Sequence, residues 1–327
     1  MKHVAVIGAG LAGLTLARQL RGLAEVAVFE KSSGSGGRMA TRRAEPYQFD
    51  HGAQFFSVRS KHFERFLEPC IDAGDVARWD ADFVEIDAGR IVSGRSWRDG
   101  PAHYVAVPGM SALAKRMTEG LDIALETRVT AIFRDGLYWR LLDQNRVSLG
   151  EFDWVISAIP AQQACALLPE SFAAIAAVAG RKMLGCYSLM LGFTRPLDVG
   201  WQAAFVGGAD ISWISNDSSK PGRPDRYTLL VHSTNRWADE NIEAEAEAVS
   251  AYLRAELARV MNYDLPPADH VALHRWRYAN IEKQAGEHFF IDRDQHLAAI
   301  GDWCIQGRVE AAYLSAFEMA QELKSLI

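Results

Sequence analysis

The sequence predicts an α/β protein in which a parallel, dinucleotide-binding sheet is joined to a second, mixed-sheet α+β domain. Three observations lead there. Val4 to Ile7 is a short apolar run that stops at Gly8, as strands buried on both faces do. Gly8, Gly10 and Gly13 then follow at G-x-G-x-x-G spacing, and Leu11 to Leu20 continue with helical periodicity. A second strand, Glu25 to Phe29, ends in the acid Glu30, twenty residues beyond Gly10. A glycine pattern alone is weak; strand, turn, helix, strand and terminal acid in this order specify a Rossmann-like βαβ unit.

Each residue of that unit has a physical task. Gly8 permits the tight turn, Gly10 lets backbone approach a pyrophosphate, and Gly13 allows helix to pack on strand. Ala12 sits with them in the first helical turn, where free N–H groups and the macrodipole favour phosphate. Glu30 is placed to accept two ribose hydroxyls. After it, Lys31-Ser-Ser-Gly34-Ser-Gly36-Gly37-Arg38 brings backbone near a ligand again, with Arg38 available for phosphate. Plain nicotinamide dehydrogenases do not need this second loop. On these residues the chain resembles the FAD-binding flavoproteins of the amine oxidase superfamily, in which G-x-G-G-R follows the acid at this distance. The resemblance implies a glutathione reductase-type FAD domain and non-covalent FAD.

Composition narrows the class. The 327 residues are 49% hydrophobic, enough for a large core and two domains. A net charge of −6 advertises neither nucleic acid nor anionic lipid as a partner. Cys70, Cys165, Cys186 and Cys304 show no C-x-x-C or metal spacing, so buried thiols in a reducing cytoplasm are expected, and no metal. There is no charged-then-apolar leader and no apolar run of 18 residues, so a soluble cytoplasmic protein is expected. No protein partner can be inferred.

Further along, Asp50-His51-Gly52 reads either as a polar turn or, by the resemblance, as a segment leading past the flavin with Gln54, Phe55 and Phe56 lining it. Ser57 lies at the boundary with the substrate domain. Arg59 is a candidate for gripping a substrate phosphate, or a solvated surface arginine. Lys61 to Ala73 is an amphipathic helix through Phe63, Phe66, Leu67 and Cys70, and Phe83–Ile86 with Arg90–Val92 form a hairpin. Ser96 and Trp97 could offer a hydroxyl and an aromatic face to a cleft, or serve domain packing. Tyr104 returns the chain to the nucleotide domain, and Met110, Leu113, Ala114 and Met117 space a core-facing helix. Ala124 to Ile132 is expected as a strand, and the resemblance gives Val129 a backbone contact to adenine. Asp153 to Pro160 closes the segment on a buried strand.

Beyond Ala161, Leu184–Phe193 and Arg226–Ser233 are strand-like, and Asn241–Met261 is a helix whose acids Glu243, Glu245 and Glu247 lie near its start. Trp201, Trp213 and Trp237 fit a flat ligand and a core equally. His274 to Ala279 leads back to the cofactor, and Leu297 to Asp302 is a last strand ending in an acid. By the resemblance, Asp302 after Gly301 faces the ribityl or phosphate part of FAD. The helix opening at Val309 would aim its dipole at the flavin N1/C2 edge. The predicted division is therefore discontinuous: residues 1–58, 104–160 and 271–327 form the FAD domain, and 59–103 and 161–270 the substrate domain.

A single nucleotide fingerprint argues that electrons come from a substrate in the second domain, with dioxygen the simplest acceptor. Family amine oxidases carry a lysine within a substrate-domain strand; Leu184–Met190 has none, and Lys182 precedes it. Arg308 stands where those enzymes place a cage tyrosine, which disfavours an ammonium substrate. Cys304 is not set in the motif of covalent flavin attachment. The closer resemblance is to the bacterial renalase family, through the two glycine loops, Asp50–Phe56, His232-Ser-Thr-Asn235, His274–Ala279 and Gly301–Ser315. It implies a metabolite-repair oxidase returning 1,2- and 1,6-dihydronicotinamide isomers to NAD(P)+ with hydrogen peroxide as by-product. Under it, Arg59 and Arg308 meet the diphosphate of the dinucleotide substrate. Phe56, Ser57, Ser96, Trp97, Cys186 and Trp276 line its slot. His232 is the candidate catalytic residue, hydrogen-bonding the carboxamide or lying near N5, or else a satisfied core histidine. An amine or carotenoid/porphyrinogen oxidoreductase is the alternative within the superfamily, and a non-catalytic FAD-binding sensor the alternative outside it.

Overall fold

The computed structural model describes residues 1–327. Val4, Ala5 and Val6 are wholly buried, and the strand they form, Lys2–Ile7, lies inside a six-stranded sheet. The order is Phe290–Asp292, Leu297–Ala299, Trp154–Ser157, Lys2–Ile7, Ala24–Phe29, Asp122–Ala124. Only the edge strand Phe290–Asp292 runs antiparallel. Alternate side chains serve opposite layers. Val4 and Val6 pack with Leu14, Leu16 and Met319, from the helices Leu11–Leu20 and Val309–Leu323. Ala5 and Ile7 pack with Trp139, Leu141 and Phe152 from a three-stranded antiparallel sheet, Ala131–Asp135, Tyr138–Leu142 and Ser148–Phe152.

The second domain is built on a seven-stranded sheet, in the order His270–Asn280, Leu184–Gly192, Thr228–Ser233, Ile211–Asn216, Ala203–Gly207, Asp82–Asp87, Arg90–Ser96. Leu189, Leu191, Val231, Ile214 and Ala204 face a core closed by Leu253 and Leu257 of the helix Ala246–Met261. The opposite face looks at the first domain. The hairpin Asp82–Ser96 reaches this sheet from the early part of the chain, and Asp82–Asp87 makes its one parallel pairing, with Ala203–Gly207.

Several expected boundaries move. His270–Asn280 pairs along its length with Leu184–Gly192, so a boundary at residue 271 would cut an edge strand of the second sheet. Tyr104–Ala106 joins Val76–Arg78 in a two-stranded ribbon rather than the first sheet. Ala124–Ile132 is not one strand. Asp122–Ala124 ends in a turn with Glu126 at φ 53°, because Glu126 and Thr127 donate their amides to the carbonyls of Ser32 and Glu30. The helix expected from Asn241 begins at Ala246. A short helix, Asn235–Glu240, precedes it, and the connector is held when the Tyr187 hydroxyl donates to the carbonyls of Asn241 and Ile242. Glu243 therefore lies off the helix, paired with Arg277. No helix is long and apolar enough to cross a membrane.

Candidate active site

Between the two sheets lies a cleft of ≈ 2460 Å³, lined by both glycine loops and by the second sheet's inner face. Single ligand pockets usually hold ~300–1,000 Å³, so this one has room for a dinucleotide and a further ligand together. The Leu11–Leu20 helix opens onto it from Gly10 with no side-chain cap and no acid in its first turn. Its leading N–H groups and dipole are free for an anion. Gly10 has no atom within 4 Å of where a Cβ would stand, so backbone can meet a phosphate directly. Gly13 is different: a Cβ there would collide with the Gly8 carbonyl oxygen, and Gly13 does not line the cleft. Its contribution is helix-on-strand packing.

The Glu30 carboxylate accepts from the amides of Ala9 and Ser32, both at 2.9 Å, which fixes it between the two loops while one edge stays open to the cleft. Gly36 bridges to Gly10 and donates its amide to the Ala9 carbonyl at 2.8 Å, laying the second loop beside the first. Arg38 makes a two-pronged pair with Asp302, at 2.8 and 2.5 Å, and also donates to the Ala279 carbonyl. This pair joins an early loop to a late one across the cleft wall. Opposite, the helix Val309–Leu323 also starts uncapped, at Arg308. Two uncapped helix ends, an open glycine turn and a fixed carboxylate suit the diphosphate, ribose and electron-poor ring of FAD. Ala12, Lys31, Gly37, Val129, Gly301, Asp302 and Val309 line the same cleft.

The segment Asp50–Ser57 is positioned by a cluster of charges with no exposed side-chain surface. Asp50 pairs with Arg223 at 2.5 Å and lies 3.6 Å from the Lys220 ammonium, which also pairs with Asp217. Two carboxylates and two cations sum to zero, which is what makes burial tolerable. Burial opposes ionisation of Asp50, but the Lys220 and Arg223 charges outweigh it and hold the carboxyl below its ordinary range. Burial dominates at Asp217 and pushes it up. Lys220 also donates to Gln54 Oε1 at 3.2 Å, as do Ser215 at 2.9 Å and Trp213 at 3.3 Å. Gln54 Nε2 in turn donates to the Asp50 and Gly52 carbonyls. The Gln54 amide is thus spent on scaffolding, although the residue borders the cleft.

Above the sheet, Ser188 and Trp276 both donate to the His51 carbonyl, at 2.7 and 2.8 Å. His51 stacks on Trp276 and meets His274 edge-on at 4.9 Å. Burial, then His274 and Arg42, pull His51 down to about 3. Burial, then Arg42, pulls His274 down to about 4. Burial also brings His232 to about 4. All three are therefore neutral at physiological pH, and His51 Nδ1 and His232 Nε2 are buried without a protein partner. Arg275 and Arg277 pair with Glu243, whereas Arg42, Arg59 and Arg308 line the cleft and make no ion pair.

Of the residues expected at the substrate, Phe56, Ser57, Arg59, Cys186, His232, Trp276 and Arg308 border the cleft, as does Phe55 of the flavin-lining stretch. Ser96 and Trp97 do not. Ser96 caps a 3-10 turn, and Trp97, 3% exposed, is sandwiched by Phe83 and His103 beneath the site. Burial raises the Cys186 thiol to about 12, which makes it inert space-filling. Cys304 is buried in an apolar cluster and does not border the cleft. Sequence reasoning brought the segments Asp50–Gly52 and His274–Ala279 to the cofactor without singling out His51 or His274, and missed Phe205 and the whole Lys220–Asp217–Arg223 cluster. Alternation of His274, Trp276 and Tyr278 along one strand was the available signal for part of this.

A family model described as flavin containing amine oxidoreductase matches residues 82–324, well over half of the chain, and one for an NAD(P)-binding Rossmann-like domain matches 6–69. The chain belongs to the flavin-containing amine oxidoreductase family. Among solved structures it is similar to a protein provisionally assigned as a protoporphyrinogen oxidase, from Exiguobacterium sp. 255-15, with TM-score 0.80 and 14% identity over 99% of both chains. It is also similar to a triple mutant of putrescine oxidase, with TM-score 0.72 and 14% identity over 99% of both chains. At this identity the likeness is one of fold. As a member of the flavin-containing amine oxidoreductases, the protein is a flavin-dependent oxidoreductase with FAD as cofactor, a Rossmann-like FAD-binding domain and a mixed-sheet substrate domain.

Proposed function

We propose that this flavoprotein is an oxidase of isomeric dihydronicotinamides, returning 1,2- and 1,6-dihydro-NAD(P) to NAD(P)+ with dioxygen as final acceptor and hydrogen peroxide as product. One observation carries the choice over amine oxidation. The titratable groups at the sheet face, His51, His232 and His274, are neutral and weakly basic, at about 3 to 4. Groups that weak do not deprotonate an ammonium substrate near neutral pH. Lys220, though it reaches Gln54, is buried against Asp217 and Asp50 and does not border the cleft.

A dihydronicotinamide needs no such base, because loss of hydride leaves an aromatic pyridinium. FAD, when bound, supplies the two-electron acceptor that dioxygen reoxidises. The remaining tasks belong to the protein. Trp213, Trp276 and Phe55 offer flat apolar surface, His232 offers a neutral ring for the carboxamide, and Arg59 and Arg308 offer charge to a diphosphate. Holding the donor carbon ~3–3.5 Å from its acceptor in a water-poor slot provides most of the acceleration such a transfer needs. The resemblance to renalases read from the glycine loops and His232–Asn235 favours the same reading.

Anaerobic mixing with borohydride-reduced NAD+, which contains the 1,2- and 1,6-isomers, tests the proposal. Rapid bleaching of the flavin band by those isomers, followed by peroxide release on aeration, is expected. Bleaching by a simple amine with no response to the isomers overturns it. Steady peroxide release also separates this oxidase from an FAD-holding sensor.

A further inference from the structure

The strand register places a line of side chains straight across the inner face of the seven-stranded sheet. His274 is opposite Ser188, Ser188 opposite His232, His232 opposite Trp213, Trp213 opposite Phe205, and Phe205 opposite Glu85. Paired positions share a face, and adjacent strands lie ~4.8 Å apart, so His274 to Phe205 spans about 19 Å. One pyridine ring occupies only a fraction of that length.

The line is covered unevenly. The loop Asp50–Phe55 lies over it from the edge strand as far as Trp213. His51 is bonded to Ser188 and Trp276, Gln54 to Trp213, and the Phe55 ring is 5.6 Å from that of Trp213. Phe205, one strand further, lies beyond this cover. It borders the cleft at 53% exposure, although its strand is internal to the sheet and its neighbours Ala204 and Val206 are buried. Arg59 is four residues past Phe55 on the same loop, exposed, bordering the cleft and without an ion pair.

A half-exposed ring in mid-sheet, at the open end of an aromatic line in a cleft that also holds an unpaired arginine, matches a substrate with two flat rings joined by an anionic bridge. We infer that Phe205 is the stacking platform for the second ring, the adenine, of the dinucleotide substrate, and so a specificity-determining residue for dinucleotide over mononucleotide. The inference rests on the dihydronicotinamide reading above.

The test compares Phe205→Ala, Phe205→Tyr and wild type with dihydronicotinamide isomers presented as dinucleotide and as mononucleotide. Alanine should raise the ratio of KM for dinucleotide to KM for mononucleotide by about tenfold, and tyrosine should restore it, since stacking needs only the ring. Titration calorimetry of adenosine monophosphate, a probe of the second subsite alone, should show binding to wild type and Phe205→Tyr that is lost in Phe205→Ala. An alanine variant with an unchanged ratio and unchanged nucleotide binding overturns the inference and leaves the oxidase reading intact. A wild type that turns over neither dinucleotide nor mononucleotide overturns both.

Discussion

Lys220→Met offers a stringent test of how the site is supported. The Lys220 side chain has no exposed surface and sits between Asp217 and Asp50, themselves fully buried. Methionine is close in length and apolar, so packing against Trp79 is largely kept while the charge is lost. What remains is two carboxylates and one guanidinium, a net negative charge in a sealed volume. Breaking a buried pair in this way costs about 3–5 kcal/mol, an effect worth roughly 4–7 °C in melting temperature for a chain of this size. The loss should depend on pH in a definite direction. Asp217 already titrates above its ordinary value through burial, and removing Lys220 takes away the main opposing charge. A carboxyl raised in the folded state favours folding at low pH and costs stability as pH rises through its folded value. The deficit in Lys220→Met should therefore be smaller at pH 5 than at pH 8, and Lys220→Met/Asp217→Asn should recover most of it. Thermal unfolding at both pH values reads all three quantities. A single variant within about 2 °C of wild type at pH 8, or a double variant no better than the single, would refute the reasoning.

Other expectations follow from the same geometry. Glu30→Ala removes the acceptor for Ala9 and Ser32 as well as the carboxylate offered to ribose, and should weaken FAD retention about tenfold or more; the flavin-to-protein absorbance ratio after gel filtration checks it. Gly52→Ala would push a Cβ into the Arg38 carbonyl oxygen, which already accepts from Ala53, and backbone cannot swing aside as a side chain does. That variant should lose flavin and melt several degrees lower, whereas Gly34→Ala, where nothing lies within 4 Å, should match wild type in both assays. Because burial holds His51, His232 and His274 at about 3 to 4, the unfolded chain binds more protons than the folded one between those values and about 6.5. Stability should thus be lost on acidification through that window and be flat, as far as these groups go, above pH 7. His51→Gln should reduce the acid-side slope in urea titrations, and an unchanged slope would count against a neutral buried His51.

The nucleotide half of the molecule was legible because its signals are local. Gly8 to Gly13, Glu30 and Gly36 to Arg38 each act within a few residues of their own backbone, and the order of strand, turn and helix carries its own check. The helix Lys61–Asp72 and the hairpin around Ala88 and Gly89 were readable for the same reason. The inner face of the second sheet was not, because it is a property of register. Glu85, Phe205, Trp213, His232, Ser188 and His274 come from six strands spread over 190 residues, and nothing near any of them announces its partner across the sheet. Trp97 shows the converse failure. An aromatic beside a serine looks available to a ligand until His103, on the segment that follows, and Phe83, on the strand paired with the one before it, close over its faces. The helix start at Ala246 was misplaced because its limit is imposed from outside, by the Tyr187 hydroxyl on the carbonyls of Asn241 and Ile242.

The contact between the helix Leu11–Leu20, near the beginning of the chain, and the helix Val309–Leu323, near its end, has a consequence for synthesis. Arg38 must wait for Asp302, and the second uncapped helix end is made only when Arg308 and Val309 are reached. A ribosome carrying a half-made polypeptide therefore displays the glycine turn with no opposing wall. Loading of the coenzyme is deferred until the helix Val309–Leu323 has been made, and a premature stop near residue 300 should yield a colourless, protease-sensitive product rather than a weakly active one.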